Sequence, residues 1–431
     1  MGTLDKSEAI RIRAHLVANP VAPGVYSHFI NVGTNKIIDT LEQNYFVNEM
    51  PLGISCFKYL QGYYGSGKTQ FINSLAARAW QNNVVTSIVN VGIDCPFNSP
   101  LAIYQAIVSN MIPPPESGKD PDEERGIEVI FRNYVDQKLK KYGIEGGKSV
   151  PSEIKTLIEQ PFSEMYLGAP DMQAAIALQQ LGKFMLNVAC GGTPTPADME
   201  IISWLRGDDA KSKHLRDLGL HKPAKEESAF NRLKTIIMFM TKRMGMKGFF
   251  IAFDEGTRTV SFRRGSIKQK QAIENLLTMI NDGADGKFPG VMFVYAATPD
   301  FRNEVIQKYP ALNDRIGDIA FKPGSPMVPF IDLDMLDTRT IVREIGERLL
   351  EVFSIADGIE WDHQLQKINI DCLLKAEDKR YGMGSEIRRS FVYHFCMLLG
   401  TQRYQQFELT DEDAEKFLVD HQIPRPEQEE E

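Results

Sequence analysis

The stretch GYYGSGKT, Gly62–Thr69, follows the apolar run ISCFKYLQ at 54–61 and opens the helix-patterned run KTQFINSLAARAWQ. No other feature limits the fold as much. A G-x-x-x-x-G-K-[ST] segment holds phosphate only as the turn from a buried strand into a helix. Its glycines let the backbone wrap closely, with N–H groups pointing inward. The helix that begins at its end adds the positive pole of its dipole. Gly62, Gly67, Lys68 and Thr69 occupy the four required positions, Tyr63, Tyr64, Gly65 and Ser66 fill the loop, and Gln70 follows in the first helical turn. This spacing predicts a nucleotide cradle, with Lys68 at the β/γ-phosphates and the Thr69 hydroxyl on Mg²⁺. A chance match arises on the order of once per hundred chains of this length. The strand pattern before it and the helix pattern after it argue against chance.

The rest of the chain reads as alternating strands and helices, interrupted once. VVTSIVNVG at 84–92 is a second buried strand, and PLAIYQAIVSNM a helix. The proline-rich, polar run at 111–126 predicts an exposed loop. From 126 to about 245 only helical patterns occur. Strand patterns return at 248–255, 290–300 and 327–333, with a helix over IKQKQAIENLLTMIND between the first two. The last hundred residues read as helical and close in an acidic tail. Alternation of this kind predicts a parallel sheet covered by helices.

A phosphate cradle needs a metal partner and a base. FFIAFDE delivers Asp254 and Glu255 at the carboxyl end of a buried strand, where open α/β sheets bind ligands. Asp254 is expected to hold Mg²⁺ and Glu255 to polarise the attacking water. The bland reading is a strand ending in two solvated acids. The next strand ends in YAATPD, so Thr298 is either a sensor of the γ-phosphate and water or an N-cap for the helix after it. Arg315, in ALNDRIGDIAF, is either an arginine finger for a neighbouring subunit's nucleotide or an ion-pair partner of Asp314 or Asp318. Arg388 and Arg389, in GSEIRRSF, are two candidates for one arginine that reaches the phosphates from the C-terminal helices.

These segments together resemble the P-loop ATP-binding proteins of BREX phage-defence systems. The matching pieces run through roughly residues 8–400: NPVAPGV with FINVG, the cradle, EIISWLRGD with LRDLGL, GMKGFFIAFDE, DGKFPGVMFVYAATPDFRNE, YPALNDRIGD and GSEIRRSF. The resemblance implies an AAA+-like ATPase working with other subunits of a bacterial defence complex close to DNA. It also implies that the long span between Lys68 and Asp254 is a helical insertion. The chain departs from the family at two points. The family's acidic pair often continues as DE-x-E, and here Gly256 and Thr257 follow. GSEIRRSF lacks the proline of the family's Pro-Arg segment, so Arg388 and Arg389 both stay candidates.

Charge limits the partners. The chain carries 49 Lys and Arg against 57 Asp and Glu, a net of −8. Any DNA contact therefore needs a local basic patch. SFRRGSIKQKQ offers Arg263, Arg264, Lys268 and Lys270, against the plainer reading of a solvated loop and helix face. Binding there would be to double-stranded DNA, non-specific and salt-sensitive. The five cysteines form no C-x-x-C pair, which argues against a zinc site and a disulfide framework and fits a cytoplasmic setting. No run approaches eighteen uninterrupted apolar residues, so no membrane span is expected.

The expectation is thus an α/β fold: an AAA+-like P-loop NTPase with a parallel central sheet, a long helical insertion and a C-terminal helical lid. Its parts are an N-terminal helical segment (1–50), the first part of the core (51–112), the insertion (113–245), the second part of the core (246–333), and the lid with the acidic tail (334–431). Two functions fit. One is an Mg²⁺-dependent ATPase, a homo-oligomer completed by Arg315, that drives defence partners. The other is a nucleotide-gated switch that assembles with an effector and turns over little. Nothing beyond the ATPase core supports a helicase.

Overall fold

The computed structural model describes residues 4–422 except 93–94, 116–123, 145–149, 165, 167, 210–211, 257–264, 383 and 385; of Glu386 it describes the backbone. Among the described residues six strands form one sheet: β1 (Cys56–Gln61), β2 (Val84–Asn90), β3 (Met111–Ile112), β4 (Gly248–Asp254), β5 (Val291–Ala297) and β6 (Phe330–Asp332), in the order β3-β2-β4-β5-β1-β6. β2 and β4 pair in parallel from Val84 against Gly248 to Asn90 against Asp254, and β4 and β5 are parallel as well. β3 is antiparallel to β2 at the edge. This mixed α/β architecture, with a mostly parallel sheet, is the one the alternating pattern predicts. β4 and β5 are buried at every position, as strands covered by helices on both faces must be.

Two differences from the sequence reading concern short elements. Met111 and Ile112, expected in an exposed loop, are buried and extend the sheet. The strand expected over 327–333 narrows to β6, because Pro326 and Pro329 bring no N–H to a ladder.

The chain divides into two compact units. One contains Thr40–Tyr59 and Arg78–Phe330. Its hydrophobic core joins β2, β4 and β5 to the helices Ile127–Lys141, Met172–Ala189, Pro196–Arg206 and Ala229–Lys242. Among the described residues, the stretch from 127 to 242 is helical wherever it is regular. Arg232 is buried in it, bonded to Asp171 at 2.9 Å and lying 3.8 Å from the Trp204 ring centre. Pairing and ring stacking together make burial of that charge tolerable.

Lys58 of β1 is a second buried charge. Its Nζ donates to the carbonyls of Pro326 (2.6 Å) and Val328 (3.0 Å) and to Tyr45 Oη (3.1 Å), which ties the approach to β6 onto β1. Burial pushes its ammonium down to about 8 from 10.5, with Cys56 and Glu49 opposing. Between those pH values the unfolded chain binds the extra proton, so this group's contribution to stability rises with pH. Below pH 8 it costs about 3 kcal/mol relative to an unperturbed lysine. The Cys56 thiol, pushed up to about 12 from 9.0 by burial, acts oppositely above pH 9. Lys58→Met cancels only the first effect. Wild-type stability should gain on the variant by about 1 kcal/mol per pH unit from pH 8 to 10 in denaturant titrations. Parallel pH profiles would contradict a charged, buried Lys58.

The other unit contains Met1–Asp39, Leu60–Ala77 and Ile331–Glu431. Its core packs the helix Lys6–Ala18 with Thr338–Asp357, His363–Tyr381 and Glu386–Thr401. Asp5 starts the first helix with a capping box closed by Glu8, and Asp337 caps the second by accepting from Thr340 N–H. Glu377, Ser390 and His394 form a buried hydrogen-bonded cluster, and His394 Nε2 also meets the His421 carbonyl at 2.8 Å.

Candidate functional site

The segment Gly62–Gly67 joins β1 to the helix Lys68–Gln81, as its motif requires. Gly65 and Gly67 have φ of 78° and 93°, values that cost a residue with a Cβ. A Cβ on Gly62 would collide with the Ser66 side chain. The loop therefore needs glycine at these positions for conformational and steric reasons. Lys68 Nζ donates to the carbonyls of Gly62 (2.7 Å) and Tyr63 (3.0 Å) and lies 5.5 Å from the Tyr64 ring centre. Thr69 is exposed. Tyr63 and Tyr64 are exposed. Gln70 Nε2 donates to the Ser27 carbonyl, which anchors the first helical turn to the N-terminal segment.

The same unit brings an arginine to the loop. Arg388 Nη1 donates to the Ser66 carbonyl at 2.7 Å, and Nη2 to Thr338 Oγ1 at 3.2 Å. Burial lowers its guanidinium from the ordinary value, and Asp334 opposes that shift. Arg389, its neighbour in the helix, is exposed. Of the two candidates, then, Arg388 is the one in contact with the loop. Among the described residues, Ser66 Oγ and Arg388 Nε are buried without a hydrogen-bond partner.

One residue at the loop escaped the sequence reading. Asp334, just past β6, accepts from the Tyr63 N–H at 3.0 and 3.2 Å. Its own N–H donates to Asp332 Oδ1 at 3.0 Å, and Asp332 Oδ2 accepts from Gln61 Nε2 at 3.2 Å. Leu333 N–H adds a bond to the Gln61 carbonyl at 2.9 Å. Burial raises the Asp334 carboxyl above its usual range, and Asp332 adds to this; the Tyr63 N–H, Arg388 and Lys68 pull it back. The acids of FIDLDMLDT read most simply as turn and cap residues, which hid this role.

In the other unit, Asp254 ends β4 and is buried, while Glu255 is exposed. Glu255 N–H donates to Asp254 Oδ1 at 2.8 Å. Glu255 has φ of 55°, a strained value for a side chain of its kind. Gly256 follows because a Cβ there would meet the Tyr295 ring, whose hydroxyl donates to the Gly256 carbonyl at 3.1 Å. The turn after β4 thus turns Glu255 outward while Asp254 stays in the sheet. Thr257, Arg263 and Arg264 lie outside the described residues; Lys268 and Lys270 are exposed on the helix Ile267–Ala284.

Thr298 is buried at the N-cap position of the short helix Pro299–Phe301, yet its side chain makes no capping hydrogen bond. Arg315 is exposed, and its Nε donates to Asn281 Oδ1 at 3.1 Å. Asp318, one expected partner of Arg315, instead bonds Arg302 at 2.5 Å, and Arg302 also reaches the Gly317 carbonyl. Among the described residues no group of His, Cys, Asp and Glu is arranged to hold a metal unaided, and all five cysteines are free. Nor is any helix among them long and apolar enough to cross a membrane.

No curated protein and no solved structure matches the chain. A family model described as the BREX system ATP-binding protein BrxC/D matches residues 15–415 of the 431. That span includes the phosphate loop, the end of β4 and Arg388. The chain belongs to the BREX system ATP-binding protein family BrxC/D.

Proposed function

We propose that this chain is a Mg²⁺-dependent, AAA+-like ATPase that hydrolyses ATP to drive or regulate a multi-protein anti-phage complex on or near DNA. The observation that carries this reading is the strand order. One strand, β5, lies between β1, which leads into the phosphate loop, and β4, which ends in Asp254 and Glu255. An inserted strand of this kind is what the AAA+-like reading expects, and the C-terminal helices around Arg388 suit a lid.

The loop's residues fit a bound polyphosphate. Gly65 and Gly67 take the backbone through left-handed values, and among the described residues Ser66 Oγ and Arg388 Nε are buried without a hydrogen-bond partner. Thr69 and Asp254 would hold Mg²⁺, which when bound neutralises charge on the phosphates. Lys68 and Arg388 bind the phosphate oxygens. Glu255 orients a water and takes its proton as the water oxygen bonds to the γ-phosphorus. The bond from that phosphorus to the β–γ bridging oxygen breaks, and ADP leaves with the electron pair. Thr298 holds the water or a γ-oxygen, and Arg315 serves a neighbouring copy in an oligomer.

ATP turnover by the purified protein, with and without double-stranded DNA and with mass followed in solution, tests this. Mg²⁺-dependent turnover that rises with oligomer formation and with DNA is the expected result. Tight binding with negligible turnover under every condition would favour the nucleotide-gated switch.

A further inference from the structure

The phosphate loop is held on both sides by residues that come from beyond β6. Asp334 takes the Tyr63 N–H and Arg388 takes the Ser66 carbonyl. Lys68 takes the carbonyl of the same Tyr63. Asp334 is therefore one peptide unit away from the lysine's contact, and Lys68 and Arg388 are the cations that act on it. Arg388 also bonds Thr338, four residues after Asp334. A carboxylate placed among the cations of a phosphate site is a built-in competitor for their field.

We propose that Asp334 is an internal counter-anion of the phosphate loop, which holds the loop's first turn through the Tyr63 N–H and weakens nucleotide binding in proportion to phosphate charge. This rests on the reading of the loop as the ATP phosphate site. The hydrogen bond and the charge are separable. Asn at 334 keeps an oxygen for the Tyr63 N–H and removes the negative charge. A carboxylate that only supported the loop would lose nothing but a fraction of that bond on becoming an amide. Neutralising a counter-anion would leave the field of Lys68 and Arg388 undiminished for the ligand. Loss of the Asp334 charge should matter most for the triphosphate, less for the diphosphate and not at all for the nucleoside.

Calorimetric binding of a non-hydrolysable ATP analogue, ADP and adenosine to wild type and Asp334→Asn tests the proposal. The analogue should bind the variant about threefold to tenfold more tightly. ADP should gain less, adenosine nothing, and the gain should shrink as salt is raised. Equal or weaker binding of the analogue by the variant would overturn the proposal, as would an equal change for adenosine. Thermal melts establish that the variant is folded; if it is not, Asp334→Ser, which also keeps an acceptor, takes its place. Lys68→Ala run beside it separates the two failures. If Lys68→Ala binds the analogue as wild type does, the phosphate-site reading fails, whatever Asp334 does.

Discussion

Glu255→Gln should keep ATP bound and slow its hydrolysis by about 10²–10⁴-fold, the range that a positioned general base contributes. The amide matches the carboxylate in shape and can still hold a water, but it cannot accept the proton. The local geometry favours a selective loss. Glu255 is exposed and its N–H donates to Asp254 Oδ1, and this backbone bond survives the change. The strained φ of 55° is a property of the turn before Gly256 and is the same for Gln. Folding stability should therefore move by less than about 0.5 kcal/mol, as for other surface changes. Phosphate-release kinetics check the first expectation and thermal melts the second. If the chain works as a switch, the same variant would lock its assembled state and leave signalling intact.

Lys68→Ala should weaken ATP binding by about 100-fold. A hydrogen bond to a charged group is worth roughly 1.5–3 kcal/mol, and about 1.4 kcal/mol is a factor of ten. In the structure Lys68 Nζ also bridges the carbonyls of Gly62 and Tyr63, so its removal loosens the loop's own turn. Both effects act in one direction on nucleotide. Calorimetry with ADP and a non-hydrolysable ATP analogue measures the loss, and the analogue should lose more because the lysine is placed for the β/γ-phosphates. The outcome differs from that of Glu255→Gln in kind: one variant fails to bind, the other binds and fails to cleave.

What the sequence made legible was local. The phosphate loop needs a strand, a glycine turn and a helix in succession, and each leaves its own pattern within a few residues of Gly62–Thr69. β4 and β5 are continuous apolar runs with polar ends, so Asp254, Glu255 and Thr298 could be placed at strand ends without any knowledge of partners. What stayed hidden depends on contacts distant in sequence. Asp334 and Lys58 find their partners 271 and 268 residues away. Arg315 meets Asn281 rather than a neighbouring acid because the helix Pro310–Ile316 lies beside Ile267–Ala284. β3 has only two residues, too few for any period to show. The choice between Arg388 and Arg389 was open to one more step. Ile387, Phe391 and Phe395 make the buried stripe of their helix, and Arg388 stands three residues from Phe391, on that stripe's flank, whereas Arg389 is turned away.

Single-turnover mixing of γ-labelled ATP with excess wild-type protein and Mg²⁺, beside Glu255→Gln, tests most directly whether the chain hydrolyses ATP with Glu255 as the base. Both proteins should bind the label, wild type should release it as phosphate, and the variant should hold it as intact ATP. Cleavage by Glu255→Gln at the wild-type rate would contradict the assignment of the base, and bound label that wild type never cleaves would contradict hydrolysis itself.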